Sequence, residues 1–275
     1  MGLSKISRAK IQRFLRKTRL LFLADKINYF VKAWSLKKKN ESFIQQNTDF
    51  ILPPKYLAFD AYSAPDWEFY KTSGEKTARF IADLTNEFFN EDDPLTSIYE
   101  WGCGPGRVIR FLPAALGENV HIFGSDYNFE TIEWCRNNIP GINFFVNELN
   151  PPLLQPEKKF DFIFAISVFT HLSETNCLEW AGELYRVLKV NGILLITTAG
   201  NDVPNAEMLE VEKGEYEARG VLVKGQYEEG KKMFLTRHAP HYVKDILLEK
   251  YDILKHVPGD FPFVKQDYWV ARKRK

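Results

Sequence analysis

One short run concentrates the chemistry of this chain: Ser97-Ile-Tyr-Glu-Trp-Gly-Cys-Gly-Pro-Gly-Arg107. An apolar strand runs into Glu100. Three glycines follow, Gly102, Gly104 and Gly106, with Cys103 between the first two. Glycine tolerates positive φ and, lacking a Cβ, lets the backbone approach a ligand closely. A helix opening at Pro105 or Gly106 aims unpaired N–H groups at an anionic part of that ligand. The spacing is G-x-G-x-G, and Arg107 stands where a dinucleotide fingerprint places its third glycine. Glu100, two residues before the first glycine, repels a pyrophosphate and suits a ligand carrying an ammonium. Asp126 ends the next strand, where a carboxylate can accept both ribose hydroxyls. The sequence Asp126-Tyr127-Asn128 is equally the chemistry of a helix cap.

Three histidines are candidates for proton transfer, because an imidazole near neutral pKa suits a hydroxyl acceptor. His171 precedes a helix start at Ser173, and either faces a substrate or buttresses that start. His238 and His241 lie in Thr236-Arg-His-Ala-Pro-His241, as bases near the top of the sheet or as exposed turn histidines. Two histidines with no acid partner at ligand spacing do not make a metal site. Asn150-Pro-Pro-Leu153 is similar to the N-P-P-Y motif of amino-group DNA methyltransferases. That motif follows the fourth strand, whereas this one follows the third and has Leu153 in place of the aromatic. It reads as a connecting loop.

The elements that position these groups alternate. Strands are expected at 97–101, 120–125, 142–146, 160–167 and 193–198. The fourth is continuously apolar, as for a central parallel strand covered on both faces. Helices are expected at 105–116, from the Asn128 cap to 138, and from the Ser173 cap to a stop at Asn191-Gly192. This is a doubly wound α/β pattern. Further on, a hairpin at 220–224 and 232–236 interrupts it, a helix covers 240–250, and two antiparallel strands span 251–257 and 266–271. Before the sheet, helical periodicity covers 8–39, a looser stretch spans 40–65, and a second helix runs over 73–90 with Ser73 as its cap.

A length of 275 residues, 45 % hydrophobic and 15 % aromatic, supports one large domain with deep apolar pockets. The expected division is a basic helical extension and cap, 1–95, and an α/β domain, 96–275, with 201–238 inserted as a lid. Segments 40–95 and 201–240 would close over the strand ends and exclude water. Three cysteines with no C-x-x-C pair argue against a disulfide framework or zinc ribbon and for a reducing cytosol. Residues 1–39 hold twelve Lys or Arg against one acid, Asp25, a balance of +11. Because the whole chain has net charge +1, the remainder is acidic. Nucleic acid is therefore disfavoured as a partner. The basic extension reads as a cap helix, an interfacial membrane helix, or a dock for an acidic partner. The apolar run at 20–24 is too short to span a bilayer, so the expected location is the cytoplasm, or peripherally the inner face of the membrane.

The ordered set resembles the class I S-adenosylmethionine-dependent methyltransferases. It comprises Ile98-Tyr-Glu-Trp-Gly-Cys-Gly-Pro-Gly-Arg107, Gly124-Ser-Asp126, Phe160-Asp-Phe-Ile-Phe-Ala165 and Leu184-Tyr-Arg-Val-Leu-Lys-Val-Asn-Gly192. Leu57-Ala-Phe-Asp60, Ser167-Val-Phe-Thr-His-Leu172 and Gln266-Asp-Tyr-Trp-Val270 are similar to a bacterial subgroup linked to glycosyltransferases and surface polysaccharide genes. The resemblance implies a Rossmann-like sheet of seven strands, mostly parallel, with an antiparallel C-terminal strand. It implies S-adenosylmethionine at Glu100, Gly102, Cys103, Gly104 and Gly106, and ribose on Asp126. Tyr127 would pack on the adenine, Asn147 would bond its amino group, and Glu148 would contribute its backbone. Ala165 would line the methionine side. The implied reaction is O-methylation of a sugar or other small acceptor. A nicotinamide oxidoreductase and a non-catalytic cofactor-binding subunit are the alternatives.

Overall fold

The computed structural model describes residues 14, 15, 18, 20–201 and 208–275. The first helix, α1 (Leu21–Ser35), breaks at Leu36 and is followed by α2 (Lys37–Gln46). The single helix expected over 8–39 is thus interrupted at Leu36, and residues 8–13, 16, 17 and 19 of it lie outside the described residues. Asn40 explains where α2 settles. Its buried amide donates to the Pro65 carbonyl at 2.7 Å and accepts the Trp67 N–H at 3.1 Å. The stretch expected to be loose holds a third helix, α3 (Lys55–Tyr62). The next, α4 (Trp67–Asn86), starts six residues earlier than the sequence suggests, because Asp66 is its cap and accepts the Phe69 N–H at 3.1 Å. Ser73 is not a cap: it is buried in mid-helix.

Strand β1 (Ser97–Trp101) leads into the glycine bend, and there the expected 105–116 helix shrinks. A 3₁₀ turn at Ile109–Phe111 precedes a five-residue α5 (Leu112–Leu116). Pro113 fits only the first turn of a helix, which sets where α5 can begin. Then come β2 (His121–Asp126), α6 (Phe129–Asn138), β3 (Asn143–Val146), β4 (Phe160–Ala165), α7 (Glu174–Val187) and β5 (Leu188–Thr198). Asn128 and Ser173 cap α6 and α7 as expected, accepting the N–H groups of Thr131 and Asn176. Asn191-Gly192 does not end α7. It lies inside β5, with Asn191 at φ +63°, opposite a slip in pairing between Phe160 and Phe162. A Cβ on Gly192 would lie 2.8 Å from the Lys189 carbonyl, so the residue marks a strand irregularity rather than a helix stop.

The insertion contains α8 (Glu210–Arg219), unexpected from the sequence, and the hairpin β6 (Val221–Lys224) and β7 (Leu235–His238). A three-residue α9 (Pro240–Tyr242) continues as a π turn, Val243–Leu247. Strands β8 (Tyr251–Val257) and β9 (Asp267–Lys273) complete the sheet.

The sheet order is β3-β2-β1-β4-β5-β9-β8. Strands β1 to β5 pair in parallel; β9 opposes both β5 and β8. Alternation fills both faces. Tyr99, Phe160, Ile163 and Trp180 pack on one side, and Ile98, Phe162, Phe164, Ile81 and Ile132 on the other. The order reverses between β1 and β4, and a ligand crevice is expected outside the carboxyl ends of those strands.

Candidate functional site

A cavity of about 410 Å³ opens there, within the range of small-molecule sites. Its floor is Trp101, Gly102, Gly104 and Pro105 from the bend, with Asp126 and Tyr127 from the end of β2. Gly104 sits at φ +52°, and a Cβ on it would approach the Tyr62 hydroxyl to 3.1 Å and the Ala61 Cβ to 3.3 Å. The bend is therefore pressed between ligand space and α3. From beneath, α4 approaches more closely still. A Cβ on Gly74 would lie 1.9 Å from the Arg107 carbonyl oxygen.

Asp126 is held by two backbone donors. The Gly104 N–H reaches Oδ2 at 3.0 Å and the Asn128 N–H reaches Oδ1 at 2.9 Å. These bonds fix the carboxylate toward the cavity and favour its charge. Burial outweighs them and raises its pKa to about 6. Glu100 is 4 % exposed; it accepts the Ile109 N–H, and its Oε2 has no partner. Burial pushes its carboxyl up to about 8 against the pull of the Arg107 guanidinium. An orphaned, buried carboxylate oxygen just behind the glycine-rich bend favours a cationic amino-acid moiety on the bend's open side. It does not fit a second anion.

Asn147 lines the wall beyond Asp126 and ends a hydrogen-bonded chain. The Tyr99 hydroxyl and Ser125 Oγ lie 2.6 Å apart, and Ser125 Oγ reaches Asn147 Oδ1 at 2.6 Å. That oxygen keeps a second lone pair for a donor such as an adenine amino group. Glu148 is exposed; its carbonyl accepts from Asn147 Nδ2 at 2.7 Å. Glu100, Cys103, Gly106 and Ala165 are buried and do not line the cavity, and Glu148 lies outside the lining as well. Cys103 instead ties the bend to the sheet, its N–H donating to the Ser125 carbonyl at 2.8 Å. Residues 150–153 do not line it either. Asn150 and Leu153 bond Asn176 and Glu183 of α7.

The three histidines separate. His171 lines the cavity. Its Nδ1 lies 2.8 Å from the Phe234 carbonyl. A carbonyl can only accept, so Nδ1 carries the proton and Nε2 keeps a lone pair. Burial lowers the His171 pKa, which favours that neutral form. His238 and His241 are not in the lining. Alternation along β7 turns Thr236 and His238 inward. His238 is fully buried with neither ring nitrogen partnered, and its pKa falls to about 4. His241 packs beside Gly220, where an added Cβ would lie 2.5 Å from Nε2.

The roof comes largely from the two segments expected to close over the strand ends, 40–95 and 201–240, with Phe263 and Val264 in addition. Asp60, Tyr62 and Ser63 descend from α3 and its end, Gly230 and Lys232 from the β6–β7 connection, and Phe263 and Val264 from the β8–β9 connection. Lys231 pairs with Asp60 at 3.2 Å, and Lys232 pairs with Asp25 at 3.2 Å while donating to the Phe59 carbonyl at 2.9 Å. The Gly230 N–H donates to the His171 carbonyl at 2.9 Å. The Leu57-Ala-Phe-Asp60 motif lies within the expected 40–95 lid segment, and the fold adds which of its side chains, Leu57 and Asp60, face the crevice. Ser167, at the end of β4, holds φ +61°. Its N–H donates to Thr197 Oγ1 at 2.7 Å and its hydroxyl to Gln266 at 3.1 Å. A serine kept in the left-handed region beside the cavity marks a constrained strand end.

These features are those of the Rossmann-like fold of class I S-adenosylmethionine-dependent methyltransferases. Residues 98–192 match the family described as methyltransferase domain. A SAM-dependent methyltransferase from Methanosarcina mazei shares the fold at 19 % identity, covering 70 % of this chain and 97 % of that one, with a TM-score of 0.50. An S-adenosylmethionine-dependent methyltransferase from Mesorhizobium loti is 14 % identical, covers 70 % of this chain and 96 % of its own, and has a TM-score of 0.49. A TehB-like SAM-dependent methyltransferase from Corynebacterium glutamicum is 16 % identical over 72 % of this chain and 88 % of that one, at 0.44.

Proposed function

We propose that the protein O-methylates a small hydroxyl-bearing acceptor, a sugar in preference to an extended polymer, with His171 Nε2 as general base. S-adenosylmethionine supplies an electrophilic methyl group on a sulfonium. Glu100, Asp126 and Asn147 would hold its ammonium, ribose and adenine. The protein's remaining task is to align the acceptor oxygen and remove its proton. Alignment alone can lower a bimolecular barrier by several kcal/mol, about 7 or more in favourable cases. The observation that carries the reading is the His171 tautomer. With Nδ1–H committed to the Phe234 carbonyl, the proton acceptor of this ring is Nε2. Phe69 and Phe263 in the lining offer flat apolar walls, and Asp60 and Ser167 offer acceptors, a mixture suited to a polyhydroxylated ring.

The test is S-adenosylhomocysteine formation with a panel of monosaccharides, nucleotide sugars and simple alcohols. The His171→Ala variant should lose about 10²- to 10⁴-fold in kcat with cofactor affinity retained. Since the His171 pKa lies below the ordinary 6.5, wild-type kcat/KM should stay flat through neutrality and drop only under more acidic conditions. Transfer to an amine or thiol but to no hydroxyl, or full turnover by His171→Ala, would remove the reading.

A further inference from the structure

Helix α1 is amphipathic with its apolar side outward. Its inward side is polar. Asp25 pairs with Lys232 at 3.2 Å and Lys32 donates to the Ser63 carbonyl at 2.7 Å. Tyr29 completes this side by packing edge-on against Phe59, with ring centroids 5.2 Å apart. At 100° per residue, Leu23, Ile27, Phe30, Val31 and Trp34 fall together on the opposite side. All five are exposed: Ile27 at 56 %, Phe30 at 60 % and Trp34 at 80 %. A solvent-facing stripe of this size calls for a covering surface.

Charge selects among the surfaces. Lys26 borders the stripe, Lys37 and Lys38 follow it, and all three are exposed. Residues 1–39 carry a balance of +11. Two such segments facing each other in a homodimer would repel. A negatively charged, apolar-cored surface is complementary to both features, and an anionic lipid bilayer is that surface. Aromatic residues at positions 30 and 34 of the stripe suit the headgroup boundary. Among the described residues no helix is long and apolar enough to cross a membrane, so α1 lies along the interface.

We propose that α1 docks this methyltransferase on anionic membrane by inserting Leu23, Ile27, Phe30, Val31 and Trp34 between headgroups, with the flanking lysines on the lipid phosphates. The inward contacts give docking a route to the site, because Lys232 and Ser63 belong to the cavity wall. The proposal is independent of which acceptor is methylated.

Full-length protein should co-sediment with vesicles of phosphatidylcholine mixed with phosphatidylglycerol, and far less with phosphatidylcholine alone. High salt should weaken the association, since it screens the attraction between basic residues and an anionic surface. The double variant Ile27→Asp/Trp34→Asp should lose at least tenfold in vesicle affinity while binding S-adenosylmethionine like the wild type. Both side chains are exposed, so the fold should survive, and cofactor titration checks that it does. Absence of sedimentation with anionic vesicles overturns the proposal. So does equal sedimentation of the double variant, or a dimer in sedimentation velocity that the double variant abolishes.

Discussion

The floor and the roof of the cavity are built on different principles. The floor is backbone. Gly102, Gly104 and the amides that fix Asp126 lie within 26 residues of one another, just past the ends of two strands paired in register. The roof is side chains meeting across long separations: Lys231 reaches back 171 residues to Asp60, and Lys232 reaches back 173 to the Phe59 carbonyl. A backbone cradle tolerates few substitutions and is read from spacing. A roof of paired side chains can be retuned one residue at a time, which suits the part that meets a variable acceptor.

Breaking the floor should have the largest effect. Gly104→Val places a β-branched residue at φ +52° and drives its Cβ toward Tyr62 and Ala61. Cofactor affinity should fall by more than about 100-fold, with a two-state melt showing that the protein still folds. Asp126→Ala removes the proposed ribose acceptor and leaves the Gly104 and Asn128 N–H groups unpaired. The expected loss is about 2–4 kcal/mol, roughly 30- to 1000-fold in cofactor affinity. Asp126→Asn keeps one acceptor oxygen and should lose less. Unchanged affinity in folded Asp126→Ala would reduce this residue to a structural clamp and erase the contrast between floor and roof.

The same contrast sets what the sequence discloses. β1, the Asn128 and Ser173 caps, the antiparallel C-terminal strands and the glycine bend all follow from local spacing. Errors arise where a distant group decides. Ser73 resembles a cap, yet Asn40 and Asp66 start α4 at Trp67 and leave Ser73 accepting from Arg107 Nη1 at 3.1 Å. Asn191-Gly192 resembles a helix stop, yet pairing with β4 makes it a strand irregularity. α8 carries legible signals, Glu210 and Glu212 in its first turn and Gly220 at φ +72° after its end. The expected hairpin masked them. The histidines were indistinguishable by type, and β7 alternation buries one while a backbone carbonyl orients another toward the cavity.

Glu100 gives a smaller, pH-dependent effect. Its pKa in the folded protein, about 8, lies above the ordinary 4.5, so the folded state holds a proton that the unfolded state releases. Its contribution therefore lowers stability as pH rises from about 4.5 toward 8, and Glu100→Gln should flatten that decline. Binding of a ligand ammonium favours the carboxylate, so cofactor association near pH 7 should release a proton. Calorimetry in buffers of different ionisation enthalpy should detect up to one proton per site, and Glu100→Gln should abolish the release. No buffer dependence would place the ammonium elsewhere on the floor.

The smallest effect is expected at the roof, where Asp60 and Lys231 are 40 % and 26 % exposed and solvent screens their attraction. Such a pair contributes about 1 kcal/mol or less. Asp60→Asn should leave cofactor affinity and melting nearly unchanged and raise acceptor KM no more than about fivefold, with the difference shrinking in high salt. Asp25→Asn should act more strongly, because its partner Lys232 is only 8 % exposed and would be left uncompensated above the Phe59 ring. If Asp60→Asn instead collapses kcat while sparing KM, Asp60 acts on the reacting acceptor itself. The roof would then belong to the catalytic machinery rather than to acceptor selection.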